Sequence, residues 1–388
     1  MGMGFGRTEA ARVRDWGNRP VGASCPAFDL QLVTYAILLA TIGLAMAYSN
    51  SVGPGASALD AGSTFTRGLL WTGLAVVAFG IVAVFDYQWL RTFAWPLYLA
   101  QIGLLVLTLA VGTGVGGVAR WILIGGMAFQ FSEIAKILMI VVLASFLGTR
   151  GDRAGSLRTI VGAAVLVGPP LVLVMLQPDL GTSLVFGGIL VGMLFMSGAS
   201  LRWLGAIAGA IVVAFPFIWA NVLRDYQKER LTAFLNPNPD IQGSGYQLYQ
   251  SQIAVGSGGW FGKGLTNGTQ NQLDFLPVQT TDFVGAILAE ELGFLGCIVV
   301  FLLFAALIWR ILVAGWRSKD PFGMAFASGL ASMILFQLVV NFGMVIGIMP
   351  ITGIPLPFVS HGGASLISLA AGLGIVQSIN VRQRRAEW

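Results

Sequence analysis

The sequence predicts an all-α integral membrane protein with ten transmembrane helices, and three observations carry that prediction. The 388 residues are 56% hydrophobic and only 10% charged, well below the roughly 25% charge of soluble domains. Apolar runs of about 20 residues, long enough to cross a bilayer, recur along the chain. Clusters of basic residues in alternate connections and at both ends fall on one side of the resulting topology.

The expected spans lie near 31–49, 67–86, 93–111, 132–148, 158–176, 181–198, 202–222, 288–313, 323–348 and 362–380. The fifth contains "GPP" at 168–170, which predicts a kinked or broken helix. Arg7, Arg12, Arg14 and Arg19 precede the first span. Arg91, Arg150, Arg153, Arg158, Arg202, Arg317, Lys319, Arg382, Arg384 and Arg385 follow on the same side. The positive-inside rule makes that side cytoplasmic and puts both termini there, as an even number of spans requires. "AMA" at 45–47 resembles a signal-peptidase site. However, the preceding run is long enough to span and further spans follow, so an uncleaved first helix is expected. The chain then divides into a cytoplasmic tail at 1–29, a membrane domain over 30–381 and a second tail at 382–388.

One connection is long, residues 223–282 between the seventh and eighth spans, and it lies on the outer side. Its aromatics (Tyr226, Phe234, Tyr246, Tyr249, Trp260 and Phe261) and the helical pattern of "QGSGYQLYQSQIAVGSGG" at 242–259 predict a folded cap over the bundle mouth. Cys25 and Cys297 imply no disulfide framework. That His361 is the single histidine argues against a His-built zinc or iron site. No basic, aromatic-interleaved patch points to nucleic acid.

Charges on the outer side need a reason, because a carboxylate near hydrocarbon is expensive. Glu133 and Lys136 are three residues apart on one helix face and suit an ion pair. Asp179 after Pro178 suits an N-cap of the sixth span. Glu290 and Glu291 are interfacial if the eighth span begins near 290 and deeply placed if it begins at Phe283. Arg310 favours the first start, because the second would leave it well inside the bilayer. Asp282 suits either a helix cap or a general base that takes a proton from a sugar hydroxyl. Arg120 and Lys136 could clamp a pyrophosphate leaving group. A base, a clamp and an aromatic cap together fit glycosyl transfer from a lipid-linked donor.

Seven segments add a resemblance. They are "ARWI" at 119–122, "SEIAK" at 132–136, "QPDLGT" at 177–182, "GYQLYQSQIAVGSGGWFGKGL" at 245–265, "GTQNQLDFLP" at 268–277, "TDFVGAILAEELGFLG" at 281–296 and "TGIPLPFVSHGGASL" at 352–366. In this order, on this side of ten spans, they resemble the SEDS family (shape, elongation, division and sporulation). "NPNPDIQGSGYQL", "GKG", "GTQ" and "FLP" look more RodA-like, of cell elongation, than FtsW-like, of division.

The resemblance implies a peptidoglycan glycosyltransferase that polymerises lipid II at the outer face of the bacterial cytoplasmic membrane. Asp282 matches the family's essential catalytic aspartate, Arg120 its motif arginine, and Glu133 and Lys136 its "SEIAK" pair. Arg120 and Lys136 would hold the pyrophosphate, with Glu133 steadying Lys136. Glu290, Glu291 and Asp179 would shape the cavity beneath. A divalent cation (Mg or Mn) is an expected aid, with no organic cofactor. The implied partners are a class B penicillin-binding protein, other elongation-complex membrane proteins and membrane lipid. The family commonly reads "LPE-x-HTDF", whereas this chain has Val278 and Thr280 where Glu and His are usual. "GGASL" at 362–366 also replaces a more frequent "GGSS" or "GGTS". Two other classes remain open: a flippase for the same lipid-linked precursor, and a non-catalytic scaffold.

Overall fold

The structure is a computed structural model that describes residues 28–52, 59–60, 62–112, 120–124, 127–221, 223–235, 244–273, 275, 281–360 and 362–383. The basic N-terminal stretch, Cys25, Val278, Thr280, His361, Arg384 and Arg385 lie outside them. The described chain is mostly helical. It runs through α1 (Leu30–Ser51), α2 (Thr64–Val84), the short α3 (Tyr87–Thr92) and α4 (Ala94–Val111). After a hairpin of β1 (Ile122–Ile124) and β2 (Met127–Phe129) come α5 (Phe131–Gly148), α6 (Leu157–Leu176), α7 (Leu180–Met196) and α8 (Leu201–Asn221). Three loop helices follow: α9 (Asp225–Leu235), α10 (Ser244–Gly258) and α11 (Thr269–Gln272). The chain closes with α12 (Val284–Arg317), α13 (Pro321–Val345) and α14 (Gly363–Gln383).

Among the described residues, nine helices are long and apolar enough to cross a membrane. The sixth expected span, α7, is also apolar but has 17 residues. Helices α5, α13 and α14 form the centre, with about 70% of their spanning windows buried, whereas α8 buries none of its own. Close packing at the centre uses small residues, as membrane helices do in the absence of a hydrophobic drive between them. Gly188 and Gly192 of α7 lie against Phe336 and Ser332 of α13, and Gly329 of α13 lies against Ile140 and Met193.

Three expectations change. The chain is not wholly α. Ile122, Leu123 and Ile124 pair antiparallel with Phe129, Ala128 and Met127.

The Pro pair does not break the fifth span, because α6 runs continuously through Pro169 and Pro170. Pro170 has no N–H for the carbonyl of Leu166 four residues back. The Tyr98 hydroxyl of α4 donates to that carbonyl instead, at 3.0 Å. Tyr98→Phe should therefore destabilise the protein by about 1–3 kcal/mol, the cost of an unmet buried carbonyl. The check is a fall in Tm of the solubilised protein; an unchanged Tm would mean that the carbonyl finds another donor.

The helix of the eighth expected span starts at Val284, the earlier of the two starts, and Glu290 and Glu291 are buried in protein, 0% and 1% exposed. Arg310 does not forbid it. Its guanidinium pairs with Asp29 (Nη2–Oδ2 2.5 Å, Nε–Oδ2 3.1 Å), which also caps α1 by accepting from Leu32 N. A helix of 34 residues is roughly 51 Å long, which leaves room for charged groups near both ends.

This helix carries a break at Gly293 (φ 68°, ψ −168°). The N–H groups of Phe294 and Leu295 lose their usual acceptors, the carbonyls of Glu290 and Glu291. Residues 259–264 splice all four groups. Phe294 N and Leu295 N donate to Gly259 O and Trp260 O at 2.9 and 3.1 Å. Lys263 N and Gly264 N donate to Glu290 O and Glu291 O at 3.0 Å each. Irregular backbone at membrane depth persists where protein satisfies it in this way. Gly262 (φ 77°) and Gly293 face each other backbone to backbone, and a Cβ on either would collide with the other strand of the splice. Side chains reinforce the joint. The buried Glu290 carboxylate accepts from Lys263 Nζ (2.7 Å), Thr269 Oγ1 (3.0 Å) and the backbone of Gln270 (3.2 Å), while Glu291 accepts from Ser49 of α1.

Candidate active site

Asp282 sits one residue before Phe283, the N-cap of α12, at the end of the bundle that carries the hairpin and the loop helices. The Phe283 side chain (1% exposed) is the local anchor, packed with Leu248, Ala254, Ala286, Met344, Val345 and Ile351 in a small core of its own. Two polar groups fix the turn backbone. Asn341 of α13 donates from Nδ2 to both Asp282 O (2.9 Å) and Ile354 O (2.8 Å). The Ser360 hydroxyl donates to Thr281 O (2.6 Å) and accepts from Leu356 N (2.8 Å). The carboxylate is therefore held against residues 352–360, and Phe283 rather than Asp282 is the N-cap of α12.

Burial pushes the Asp282 carboxyl above the usual carboxylate range. Arg230 pulls it back most strongly among the charges, helped by a hydrogen bond with Thr281 and by Arg120, while Asp179 pushes it further up. Groups from four parts of the chain thus converge on one carboxylate.

Arg120, just before the hairpin, donates from Nε to Gln177 O (3.1 Å) and from Nη2 to the Tyr226 hydroxyl (2.9 Å). Tyr226 in turn donates to Pro178 O. Asp179 is the expected N-cap of α7, with Oδ1 accepting from Thr182 N (3.1 Å) and Oδ2 from Thr182 Oγ1 and Gln130 Nε2 (both 2.8 Å). Gln130 leads into α5, where Lys136 and Glu133 form the expected pair at 2.7 Å, 2% and 4% exposed. The structure brings Arg120 and Asp179 to Asp282 and leaves Glu133 and Lys136 paired with each other in the first two turns of α5. Glu290 and Glu291 lie in the splice, two turns beyond Asp282, and hold the loop rather than meet the Asp282 carboxylate.

A family model described as "Cell cycle protein", for FtsW, RodA and SpoVE, matches residues 29–385. This chain belongs to that family. The family member is 44% identical to the peptidoglycan glycosyltransferase MrdB of Escherichia coli K12 over 289 residues, 74% of this chain and 78% of that protein. It is 38% identical to the stage V sporulation protein E of Bacillus subtilis over 356 residues, 91% and 96% of the two chains. Among solved structures it resembles Thermus thermophilus RodA (TM-score 0.68, 28% identity, 91% and 97% covered). It also resembles a chain of a peptidoglycan synthase complex that coordinates polymerization and crosslinking (TM-score 0.77, 30% identity, 92% and 98% covered). With its apolar helices, this makes the family member a multi-pass membrane protein.

One residue at the site escaped the sequence reading. Arg230 lies on α9, four residues after Tyr226, so the two share a helix face, and its guanidinium lies over the Tyr226 ring, 5.8 Å from the centroid. Gln227 between them is 2% exposed and accepts from Arg224 N at 3.0 Å, which caps the start of α9. Arg230 also borders Gly353 (φ 71°), where a Cβ would lie 3.2 Å from Asp282 Oδ2 and 3.3 Å from Arg230 Nη1. Glycine keeps that gap open. The signal available in sequence was the i, i+4 pair in "YQKER"; the polar stretch around it hides which face turns inward.

Proposed function

We propose that this chain is a RodA-like peptidoglycan glycosyltransferase that polymerises lipid II at the outer face of the cytoplasmic membrane. In this reading α7 is the sixth of ten spans, both termini are cytoplasmic and residues 223–282 form the outer loop. The observation that carries it is Asp282, a carboxylate whose backbone is held by Asn341 and Ser360 and which faces Arg230 and Arg120.

Asp282 takes the proton of the acceptor sugar's 4-hydroxyl, and the oxygen attacks the anomeric carbon of the growing strand. The bond from that carbon to phosphate breaks, and undecaprenyl pyrophosphate leaves. Its raised pKa suits a base that must gain a proton at neutral pH and release it afterwards. Arg120 and Lys136 provide positive potential behind the phosphates, and Glu133 holds Lys136 in place.

A divalent cation, Mg or Mn, would supply charge neutralisation on the phosphates. Among the described residues no cluster of three or more His, Cys, Asp or Glu is present, so such an ion would be held mainly by the substrate's phosphate oxygens, with Asp282 left to act as the base. A class B penicillin-binding protein is the proposed partner, a reading supported by the likeness to the synthase complex.

The test is purified protein with its partner in liposomes, given labelled lipid II. Polymer is the expected product. Labelled lipid moved across the bilayer without polymer would favour a flippase, and neither outcome a scaffold.

A further inference from the structure

Two cations, Arg120 and Arg230, act on Asp282 and a third, Lys136, lies on α5, and their bonding differs. Lys136 is 2% exposed and locked to Glu133 at 2.7 Å. Arg120 spends Nε and Nη2 on Gln177 O and the Tyr226 hydroxyl. Arg230 is half-buried and, among the described residues, makes no hydrogen bond or ion pair; its guanidinium rests over the Tyr226 ring with Nη1 beside the Gly353 gap that Asp282 Oδ2 also borders. A guanidinium with its donors unspent, oriented by an aromatic face and set beside a carboxylate, is built to receive an anion with two oxygens in reach.

We propose that Arg230 is the catalytic residue that takes the leaving diphosphate of the donor, an assignment that rests on the glycosyltransferase reading above. While the site is empty, Arg230 faces Asp282. When the donor's diphosphate enters, its oxygens become the better partner for the fork of Nη donors, because they carry more charge and match it bidentately. The carboxylate then loses its nearest countercharge and becomes more basic as the acceptor hydroxyl arrives. The hydroxyl proton passes to Asp282, the new C–O bond forms and the C–O bond to phosphate breaks. The electron pair of that bond goes to the diphosphate oxygen facing Arg230. Tyr226 links this cation to Arg120 and to the turn before Asp179, so α9 carries a working face of the site rather than a passive cover.

The test uses the full chain with its partner in lipid nanodiscs, comparing wild type, Arg230→Gln, Arg230→Lys and Asp282→Asn. A fluorescent undecaprenyl diphosphate reports binding, with undecaprenyl monophosphate and phosphatidylglycerol as competitors. Arg230→Gln should weaken diphosphate binding by about 10–100-fold, the range for hydrogen bonds to charged groups. It should lower kcat as well and leave the weak monophosphate and phosphatidylglycerol competition unchanged. Arg230→Lys should recover part of both losses, and Asp282→Asn should still bind diphosphate. Unchanged diphosphate binding in Arg230→Gln overturns the assignment, even where its pH profile moves, because Arg230 would then act only on Asp282. A rise in KM with kcat intact would leave Arg230 a binding residue for the donor and overturns its assignment as a catalytic one. Wild type that binds diphosphate but makes no polymer sinks the enzymatic reading and leaves the binding result standing. Tm and gel-filtration profiles equal to wild type show that each variant is folded; should Arg230→Gln fail this check, Arg230→Lys alone decides, through its kcat and diphosphate affinity.

Discussion

Asp282→Asn is expected to lower glycan polymerisation by roughly 10²–10⁴-fold, the usual worth of a positioned general base. Asparagine keeps the shape and leaves the backbone clamps from Asn341 and Ser360 untouched, so Tm should stay near that of wild type. A polymerisation rate equal to wild type would reduce Asp282 to a loop residue. The pH profile adds a second reading of the same group. Its carboxyl is pushed up by burial, and Arg230 is the largest of the charges that pull it down. Only the ionised form accepts a proton, so activity should fall as pH drops through the raised pKa, at higher pH than an ordinary aspartate would give. Asp282→Asn should lose that acid limb along with the rate.

Lys136→Met is expected to cost about 3–5 kcal/mol of stability, because it strands the Glu133 carboxylate in the interior. The double variant Glu133→Leu, Lys136→Met removes both charges and should return close to wild-type stability, since apolar replacement of a buried pair is often neutral or better. Activity separates the two roles that the pair could play. A double variant that melts like wild type yet polymerises at least about tenfold more slowly shows Lys136 acting on the phosphates. One that melts and polymerises like wild type shows that the pair is structural and that its field is not needed. Thermal melting and the lipid II assay on the same preparations decide between them.

Much of the fold was legible because membrane insertion is close to a one-dimensional problem. Hydrocarbon thickness sets the length of each run and charge sets its ends, so the positions of α1, α2, α4 to α8, α13 and α14 followed from local sequence. The loop helix at 244–258 was visible for the same reason, in its own periodicity. So were the i, i+3 pair of Glu133 and Lys136 and the cap at Asp179, which need only their own helix. Asp282 was legible as a costly charge in need of a purpose.

What tertiary structure alone decided involves groups far apart in the chain. The start of the eighth span turned on Arg310 finding Asp29, 281 residues away, which removed the penalty that argued for a later start. The Pro pair stayed inside a continuous helix, where Tyr98 of another helix supplies a donor for the carbonyl left unmet. The break that does occur, at Gly293, was invisible because its four orphaned groups are met by a loop some thirty residues earlier. Arg230 reads as one more charge in a polar loop until α9 folds over the site and sets it beside Asp282. Sequence by itself determined which residues must cross the membrane, since each span answers to its own solvent. The partners of the charges left over were decided by packing, because a buried charge is made affordable only by a neighbour that the chain supplies from elsewhere.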